Sequence, residues 1–134
     1  MLLRALAVAL SGALLAGPAM AATHQVMQDG VTFDPPELEI EVGDTVEWIH
    51  SAGNHTVTHG TDDANPPLAD KLFDEPLSVT VPLVSHTFDE AGDFDYYCRF
   101  HLSLNMTGVI RVMEPTPAPE PTFSSWAGVK NLYR

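Results

Sequence analysis

Hydrophobic and polar residues alternate with a period of two along several short stretches of this chain. The clearest is residues 37–42, in which Glu37, Glu39 and Glu41 alternate with three aliphatic residues. Alternation of this kind predicts a strand with one solvated face and one buried face. Six further stretches are rich in β-branched or aromatic residues and are also predicted as strands. They are residues 24–33, 45–49, 78–81, 85–88, 94–98 and 108–113.

Turn-forming residues separate these predicted strands. Gly43-Asp44 follows the first alternating stretch, Gly92-Asp93 precedes residues 94–98, and residues 60–67 are rich in Gly, Asp, Asn and Pro. No segment after residue 21 carries a helical period. Several short strands with frequent turns predict an all-β sandwich. A chain of 134 residues has room for a single such domain.

Both ends of the chain differ in composition from the middle. Residues 1–21 have the features of a secretory signal peptide: Arg4, an apolar run over residues 5–15, and small residues around Ala21. The apolar run is too short to span a membrane comfortably. We therefore expect an exported, periplasmic or extracellular protein whose mature chain begins near Ala22. The domain is assigned to residues 22–114, a Pro-rich linker to 115–122, and an aromatic tail to 123–134, which is either a loose terminus or a docking peptide.

The chain is strongly acidic, with 18 Asp and Glu against 6 Lys and Arg. Removal of residues 1–21 takes away Arg4, which leaves 5 basic residues against 18 acidic ones and a net charge of −13. Nucleic acid is thereby excluded as a partner, because phosphate binding needs a basic surface. A redox protein with a basic docking face would be attracted, although acidity also serves to keep an exported protein in solution.

Cys98 is the only cysteine, and it lies close in sequence to His101 and Met106. A lone cysteine in an exported chain cannot form an internal disulfide, so it is either a reactive thiol or a metal ligand. Together with His55, these side chains supply one thiolate, two imidazoles and a thioether, the ligand set of a mononuclear blue-copper site. Because Cys98 alternates with Phe94 and Tyr96, its side chain is predicted to face the interior.

Two separated motifs carry a family resemblance. The spacing Cys-x2-His-x4-Met, followed by x-Gly-x-Ile-x-Val, fills residues 98–112, and residues 43–48 precede His55. These segments resemble the copper loop and the first histidine strand of plastocyanin-like cupredoxins, the group that includes pseudoazurin and halocyanin. The resemblance, which covers residues 37–112, implies a Greek-key β-sandwich holding one type 1 copper. It also implies that His55, Cys98, His101 and Met106 are the ligands.

Three positions depart from the usual family pattern. Phe100 stands before the second histidine where proline is common, and Asn105 stands before the methionine where glycine is common. Asparagine tolerates the left-handed backbone conformation better than other non-glycine residues, so the loop should be preserved. Arg99 places a charge beside Cys98 and is expected either to raise the reduction potential or to point to solvent.

The other histidines are assigned no role at this site. His50 and His86 are predicted not to be copper ligands. His59 is the alternative copper ligand if His55 is not one. His24 has two interpretations. It is the third residue of a chain that starts Ala22-Thr23-His24, a pattern that can wrap copper(II) or nickel(II) in a square plane, or it simply begins the first strand.

Two functions fit these features. The first is a monomeric electron carrier that moves single electrons between redox proteins. The second is a copper-binding module for storage, delivery or sensing. An enzyme is not expected, because four protein ligands leave no open position for a substrate. A binuclear copper-A centre also needs two cysteines, and this chain has one.

Overall fold

The computed structural model describes residues 20–117, and within that range nine strands form two sheets. In chain order they are β1 (Thr23–Asp29), β2 (Thr32–Asp34), β3 (Glu37–Glu41), β4 (Thr45–Ile49), β5 (Asn54–His59), β6 (Asp74–Ser78), β7 (Leu83–Thr87), β8 (Gly92–Tyr97) and β9 (Thr107–Met113). Residues Met20–Pro115 make up one compact unit. The prediction of an all-β, single-domain sandwich is confirmed.

One sheet has the strand order β2-β1-β4-β7, and the other has the order β3-β9-β8-β5-β6. The pairs β1–β4 and β3–β9 are parallel, and the remaining pairs are antiparallel. Successive strands change sheet repeatedly, as in a Greek-key sandwich. This order places β8, which leads to Cys98, beside both β5 and β9. The segments that carry the predicted metal ligands are therefore neighbours in the same sheet.

The core lies between the sheets and is rich in aromatic rings. Trp48 of β4 and Tyr96 of β8 come from opposite sheets, and their ring centroids are 5.3 Å apart in an edge-on arrangement. The ring centroid of Phe33 is 4.9 Å from that of Tyr96, and the ring centroid of Phe73 is 5.2 Å from that of Trp48. All four side chains are buried. Aromatic pairs with these geometries contribute beyond the area they bury, which ties the two sheets together.

The period-two prediction for residues 37–42 is confirmed, since Glu37, Glu39 and Glu41 are exposed while Ile40 is buried. The predicted strand 24–33 is divided in two, because Gly30 adopts a positive φ of 56° and turns the chain from β1 into β2. Glycine has no Cβ to oppose that conformation. The sequence had predicted one strand there because the apolar residues continue on both sides of the turn.

The predicted strand at residues 78–81 is wrong. Ser78 and Val81 exchange backbone hydrogen bonds of 2.9 and 3.1 Å, so Val79 and Thr80 form a two-residue turn. The strand lies earlier, as β6, and contains Pro76 and charged residues that argued against it. Proline is tolerated there because β6 is the edge strand of its sheet. The β5 strand was not predicted either.

The described helical segments are two single 3-10 turns, Leu68–Asp70 and Leu102–Leu104. Neither has the length and hydrophobicity of a membrane-crossing helix, and none other occurs within residues 20–117. Residues 60–67 form a loop, as predicted. The predicted signal peptide (1–21) lies outside the described residues except at 20–21. The linker (115–122) is described only to residue 117, and the tail (123–134) lies entirely outside.

Candidate metal centre

Three potential ligands converge at one end of the sandwich. His55 is the second residue of β5, Cys98 follows the last residue of β8, and His101 lies in the loop that leads to β9. Their ligand atoms all lie within 4.8 Å of one another. Within residues 20–117 this is the one grouping in which three or more His, Cys, Asp or Glu side chains come so close. Two residues 43 positions apart in sequence are thus brought together by the fold.

The two imidazoles present the same nitrogen to the thiol. The Sγ atom of Cys98 lies 3.8 Å from Nδ1 of His55 and 3.4 Å from Nδ1 of His101. The two imidazole centroids are 4.8 Å apart, and the rings are inclined by 41°. Three donor atoms therefore surround one small space, with Cys98 and His55 buried and His101 partly exposed.

A backbone contact selects the tautomer of His55. Its Nε2 lies 3.0 Å from the carbonyl oxygen of Ala52, which can only accept a hydrogen bond. Nε2 must therefore carry the proton, and the lone pair of Nδ1 faces Cys98. Burial lowers the pKa of His55, and the nearby His101 lowers it as well. Together these two effects outweigh the hydrogen bond to the Ala52 carbonyl, which raises the pKa. The ring is thus neutral near pH 7, as a metal-binding imidazole must be.

Met106 closes the loop over the thiol through its backbone. The N–H of Cys98 donates to the carbonyl of Met106 at 2.9 Å, and the N–H of Met106 donates to the carbonyl of His101 at 3.3 Å. The Met106 side chain is fully buried in the same core cluster as Cys98. Asn105 precedes it with φ 58° and ψ 37°, the left-handed conformation that the sequence analysis expected asparagine to tolerate.

The donor set fits copper better than other common metals. Thiolate and thioether sulfurs favour copper(I), whereas neutral imidazole nitrogens suit copper(II) as well. Structural zinc sites are usually completed by four cysteine and histidine ligands, whereas this grouping has three, and the fourth candidate is the thioether of Met106. The fixed tautomer of His55 and the buried sulfur of Cys98 agree with this donor chemistry.

A hydrogen-bond network joins the residues that follow His55 and Cys98. The backbone N–H of Arg99 donates to Oγ1 of Thr56 at 3.0 Å. The hydroxyls of Thr56 and Thr58 are 2.9 Å apart, and Thr58 donates to Asp74 at 2.9 Å. The Arg99 guanidinium pairs with the same Asp74 at 2.9 Å, which closes a ring of contacts. Sequence analysis did not identify Thr56, Thr58 or Asp74.

Arg99 also holds the loop that precedes β6. Its Nε lies 2.9 Å from Asp63, which also accepts a hydrogen bond from the Tyr97 phenol. The Lys71 ammonium lies 5.2 Å from the centre of the Tyr97 ring and bonds the carbonyls of His59 and Asp62. Burial raises the pKa of Tyr97 to about 12, and the Asp63 contact acts in the same direction. Arg99 therefore does not point freely into solvent, which was one of the two expectations for it.

The surface around His101 is apolar and uncharged. A cleft here has eight lining residues with no Asp, Glu, Lys or Arg: Gly30, Val31, Ala52, Gly53, Asn54, His55, Phe100 and His101. Phe100 is 64% exposed and Leu104 is 58% exposed beside it. We call this set of eight residues, with Leu104, the apolar cleft. Leu102, in the same 3-10 turn as Leu104, is only partly exposed.

The remaining histidines have other contacts. His59 accepts a hydrogen bond from the N–H of Leu72 at 3.2 Å and packs against Phe73, so it is not part of the grouping around Cys98. His86 also packs against Phe73, with its ring centroid 5.0 Å from that of Phe73. The Nε2 of His50 lies 2.8 Å from the carbonyl of Gly53.

His24 lies within β1 and pairs with β4, and its Nε2 is 2.8 Å from a carboxylate oxygen of Asp44. A square-planar metal site at residues 22–24 would need the ring and the adjacent amides to leave these contacts. The structure therefore agrees with the plainer of the two interpretations of His24, in which it begins the first strand.

Comparison with known proteins agrees with this geometry. A family model described as copper-binding proteins of the plastocyanin/azurin family matches residues 20–113. The chain is 33% identical over 113 residues to plastocyanin from a Synechococcus strain, covering 77% of this chain and 82% of that protein. It is 33% identical over 69 residues to amicyanin from Paracoccus denitrificans, covering 52% of this chain and 50% of that protein.

A solved structure gives the same result. The reduced state of a proline-to-phenylalanine mutant of amicyanin matches with a TM-score of 0.56 and 33% identity. The match covers 68% of this chain and 82% of that chain. Sequence and structure thus identify the same group of relatives.

Proposed function

Because the chain belongs to the plastocyanin/azurin family of copper-binding proteins, and its cofactor is copper, we propose that it is an exported carrier of single electrons between redox proteins. The observation that supports this most directly is the convergence of the Cys98 sulfur with the Nδ1 atoms of His55 and His101. A bound copper supplies a couple that gains and loses one electron. A relative that has been solved in a reduced state is consistent with redox use.

We propose that His55, Cys98, His101 and Met106 are the four protein ligands. The surrounding residues hold three of these donors in place through backbone contacts. The carbonyl of Ala52 holds the ring of His55 by a hydrogen bond, and the backbone of Met106 is hydrogen-bonded to the backbones of Cys98 and His101. Donors held in this way have little need to move when the charge at the site changes, which favours fast electron exchange. Burial of Cys98 and Met106 also excludes water from the site.

The same donor count argues against an enzyme. Two nitrogen and two sulfur donors complete the coordination that this type of site requires, and no position is left for a substrate. The proposed role of the protein is therefore to accept an electron at one encounter and to release it at another.

We propose the apolar cleft as the docking surface for the redox partners. His101 is partly exposed there, so an electron can leave through its ring edge without crossing the core. Phe100 and Leu104 add exposed apolar area around it. Transient redox complexes bury less than about 1,200 Å², so the docking surface for such a partner can be small.

The acidic body of the protein is proposed to attract partners with a basic face. Exposed carboxylates line β3 at Glu37, Glu39 and Glu41, whereas the cleft itself carries none. Electrostatic attraction is screened beyond about 8 Å at physiological ionic strength, and added salt shortens this distance further. The rate at which the protein associates with a basic partner should therefore fall as salt is added. An association rate that does not change with salt would show that the acidic charge does not attract the partner and serves only to keep the protein in solution.

The first test is a visible spectrum of the copper-loaded mature protein before and after a reductant. An electron carrier should show an intense charge-transfer band that the reductant bleaches and that Cys98→Ser abolishes. A pale or colourless copper complex would instead favour the storage, delivery or sensing module. A Cys98→Ser variant that keeps the band would overturn the ligand assignment.

The second test examines the docking surface with matched variants. Leu104 and Leu68 are 58% and 59% exposed, and Leu68 lies in the 3-10 turn Leu68–Asp70, outside the apolar cleft. Leu104→Lys should slow electron exchange with a redox protein while the visible spectrum stays unchanged. Leu68→Lys introduces the same charge and should leave the exchange rate close to that of the parent. Equal rates for both variants would exclude the cleft as the docking surface.

Export completes the proposal. The pattern of residues 1–21 supports removal of a signal peptide and placement of the mature chain in a periplasm or beyond. A lone thiol in such an oxidising compartment is protected when it is buried and bound to a metal. Residues 115–122 and 123–134 are proposed to be a linker and a tail outside the copper domain.

A further inference from the structure

The carboxylate of Asp44 has an unusual set of partners at the end of the sandwich where β1 begins. One oxygen lies 2.7 Å from the backbone nitrogen of Ala22. The other lies 2.8 Å from Nε2 of His24 and 3.1 Å from the backbone nitrogen of Glu41. Asp44 is only 6% exposed. Three donors from two separate segments thus converge on one buried carboxylate, in a part of the molecule that the copper site does not use.

The position of Ala22 in this arrangement coincides with a feature of the sequence. Ala22 is the residue at which the mature chain is expected to begin, because small residues at 19 and 21 mark the cleavage position of a signal peptide. The structure places the nitrogen of that same residue against Asp44. Met20, two residues before it, is 89% exposed, and Ala21 is also exposed, so the peptide bond that would be cut lies in exposed chain.

We propose that Asp44 is the receptor for the free amino terminus that forms when the bond between Ala21 and Ala22 is cleaved. The reaction is a hydrolysis by a signal-processing endopeptidase. Water adds across the amide bond, Ala21 leaves with a carboxylate, and Ala22 keeps its nitrogen as an ammonium group. The inference rests on the proposed export of the protein and is independent of electron transfer.

Cleavage changes what the nitrogen offers to Asp44. In the uncut chain it is a neutral amide with a single hydrogen to donate. After cleavage it is an ammonium with three hydrogens and a positive charge at neutral pH, because a free α-amino group has a pKa of about 7.7–8.0. The amide already donates to an ionised carboxylate, and cleavage adds a direct attraction between opposite charges at the same position. The mature protein should therefore be held more firmly at this point than the precursor.

The site is already formed when the charge arrives. The carbonyl of Ala22 accepts a hydrogen bond of 2.9 Å from the N–H of Thr45, which fixes the residue beside β4. Asp44 is fixed in turn, because its carbonyl accepts a bond of 3.0 Å from Phe88. The new ammonium needs no rearrangement to reach its partner. A cut one residue earlier would place the charge beyond Asp44, and a cut one residue later would remove Ala22 and its bond to Thr45.

The same contacts bear on the alternative metal site at residues 22–24. Both the terminal nitrogen and the His24 ring, which a square-planar metal would need, are already engaged by Asp44. Asp44 would thus compete with a metal for two of its donors. In the proposed arrangement the amino terminus serves the stability of the fold instead.

The first experiment locates the amino terminus. The full chain is expressed with export, and the exported protein is analysed by intact mass and amino-terminal sequencing. A mature chain that begins at Ala22 supports the proposal. A chain that begins at any other residue overturns it, whatever the copper content or the electron-transfer activity.

The second experiment measures the effect of the ammonium group in the copper-free protein. Two forms are compared by thermal melting at neutral pH: one that begins at Ala22, and one that keeps Ala21. The extended form is expected to melt lower by about 4–8 °C, the shift typical of one moderate interaction in a domain of this size. The same pair is then compared in Asp44→Asn and in Asp29→Asn, a matched change at an exposed residue at the other end of β1.

The difference between the two forms should vanish in Asp44→Asn and persist in Asp29→Asn. Equal melting of the two forms with Asp44 intact would overturn the proposal. If Asp44→Asn does not fold, acylation of the amino terminus with a small ester at neutral pH gives the answer. The Ala22 form should react more slowly than the extended form, and equal rates would contradict the pairing.

Discussion

The contact between Arg99 and its two carboxylates gives a prediction whose size follows from the structure. We expect Arg99→Gln to lower the melting temperature of the copper-free protein. The pair with Asp74 is 2.9 Å long and both side chains are about two-thirds buried, at 28% and 31% exposure. Exposed pairs contribute about 0.2–1 kcal/mol, and this pair should reach the upper end, about 1 kcal/mol. Asp63 is 69% exposed and adds little. The expected shift is about 4–8 °C.

A matched control is present in the same chain. Arg111 lies 3.4 Å from Glu37, and these side chains are 44% and 63% exposed. Arg111→Gln removes the same charge but a longer and more solvated contact, so its melting temperature should stay close to that of the parent. Thermal melting of both variants by circular dichroism makes the comparison. If the two variants melt at the same temperature, the Arg99 contacts stabilise the fold no more than the exposed Arg111 contact does.

A second measurement separates local from global effects. The N–H of Arg99 donates to Thr56 and so joins the chain after Cys98 to the chain after His55. If the guanidinium holds this junction, Arg99→Gln should speed hydrogen exchange at that N–H more than at other protected amides. Uniform acceleration across the sandwich would show that only global stability had changed.

Three further predictions concern the framework of the site. Asn105→Ala should destabilise the copper-free protein by about 1 kcal/mol, because alanine is strained at the left-handed φ of 58° found there. Asn105→Gly should destabilise it by less, and denaturant unfolding of both variants makes the comparison. Gly108→Ala should cost about 1–3 kcal/mol, since a Cβ there would clash with the ring of the buried Tyr96. A melting temperature equal to that of the parent would contradict the close packing. Burial lowers the pKa of His86 below 6.5, so the unfolded chain binds protons first as the pH falls and stability should drop below about pH 6.5. His86→Phe should flatten that decline in melts from pH 7.5 to 5, and an unchanged profile would exclude His86 as its source.

Much of the fold was predictable because its strands expose one face to water. The alternation in residues 37–42 fixed β3 and its exposed glutamates correctly. The strands that were misplaced break this rule. β5 is buried at four consecutive positions from His55 to Thr58, so it shows no alternation. β6 is an edge strand that contains Pro76 and exposed charges, and such residues do not indicate a strand.

The candidate ligands were predictable because three of them lie within nine residues, at a spacing set by one loop. Their role as ligands stays a prediction, and the structure adds that the side chains of His55, Cys98 and His101 come together. The supporting contacts were not predictable. The pairing of Arg99 with Asp63 and Asp74 joins residues far apart in sequence, and ion pairs between loops leave no periodic pattern.

The exposed carboxylates of β3 and the proposed docking surface are separate in this protein, and the separation follows from where the side chains lie. Carboxylates project from strand faces such as β3, whereas the loops around His101 contribute glycine, alanine, asparagine and apolar residues. Coulomb attraction acts over roughly 8 Å in physiological salt, while apolar contact acts only once surfaces touch. On the proposed function, a redox partner would be attracted by the acidic body and would make its apolar contact at the cleft. Because no carboxylate lines the cleft, contact there desolvates no fixed charge, and an encounter complex formed in this way can dissociate quickly after the electron has moved.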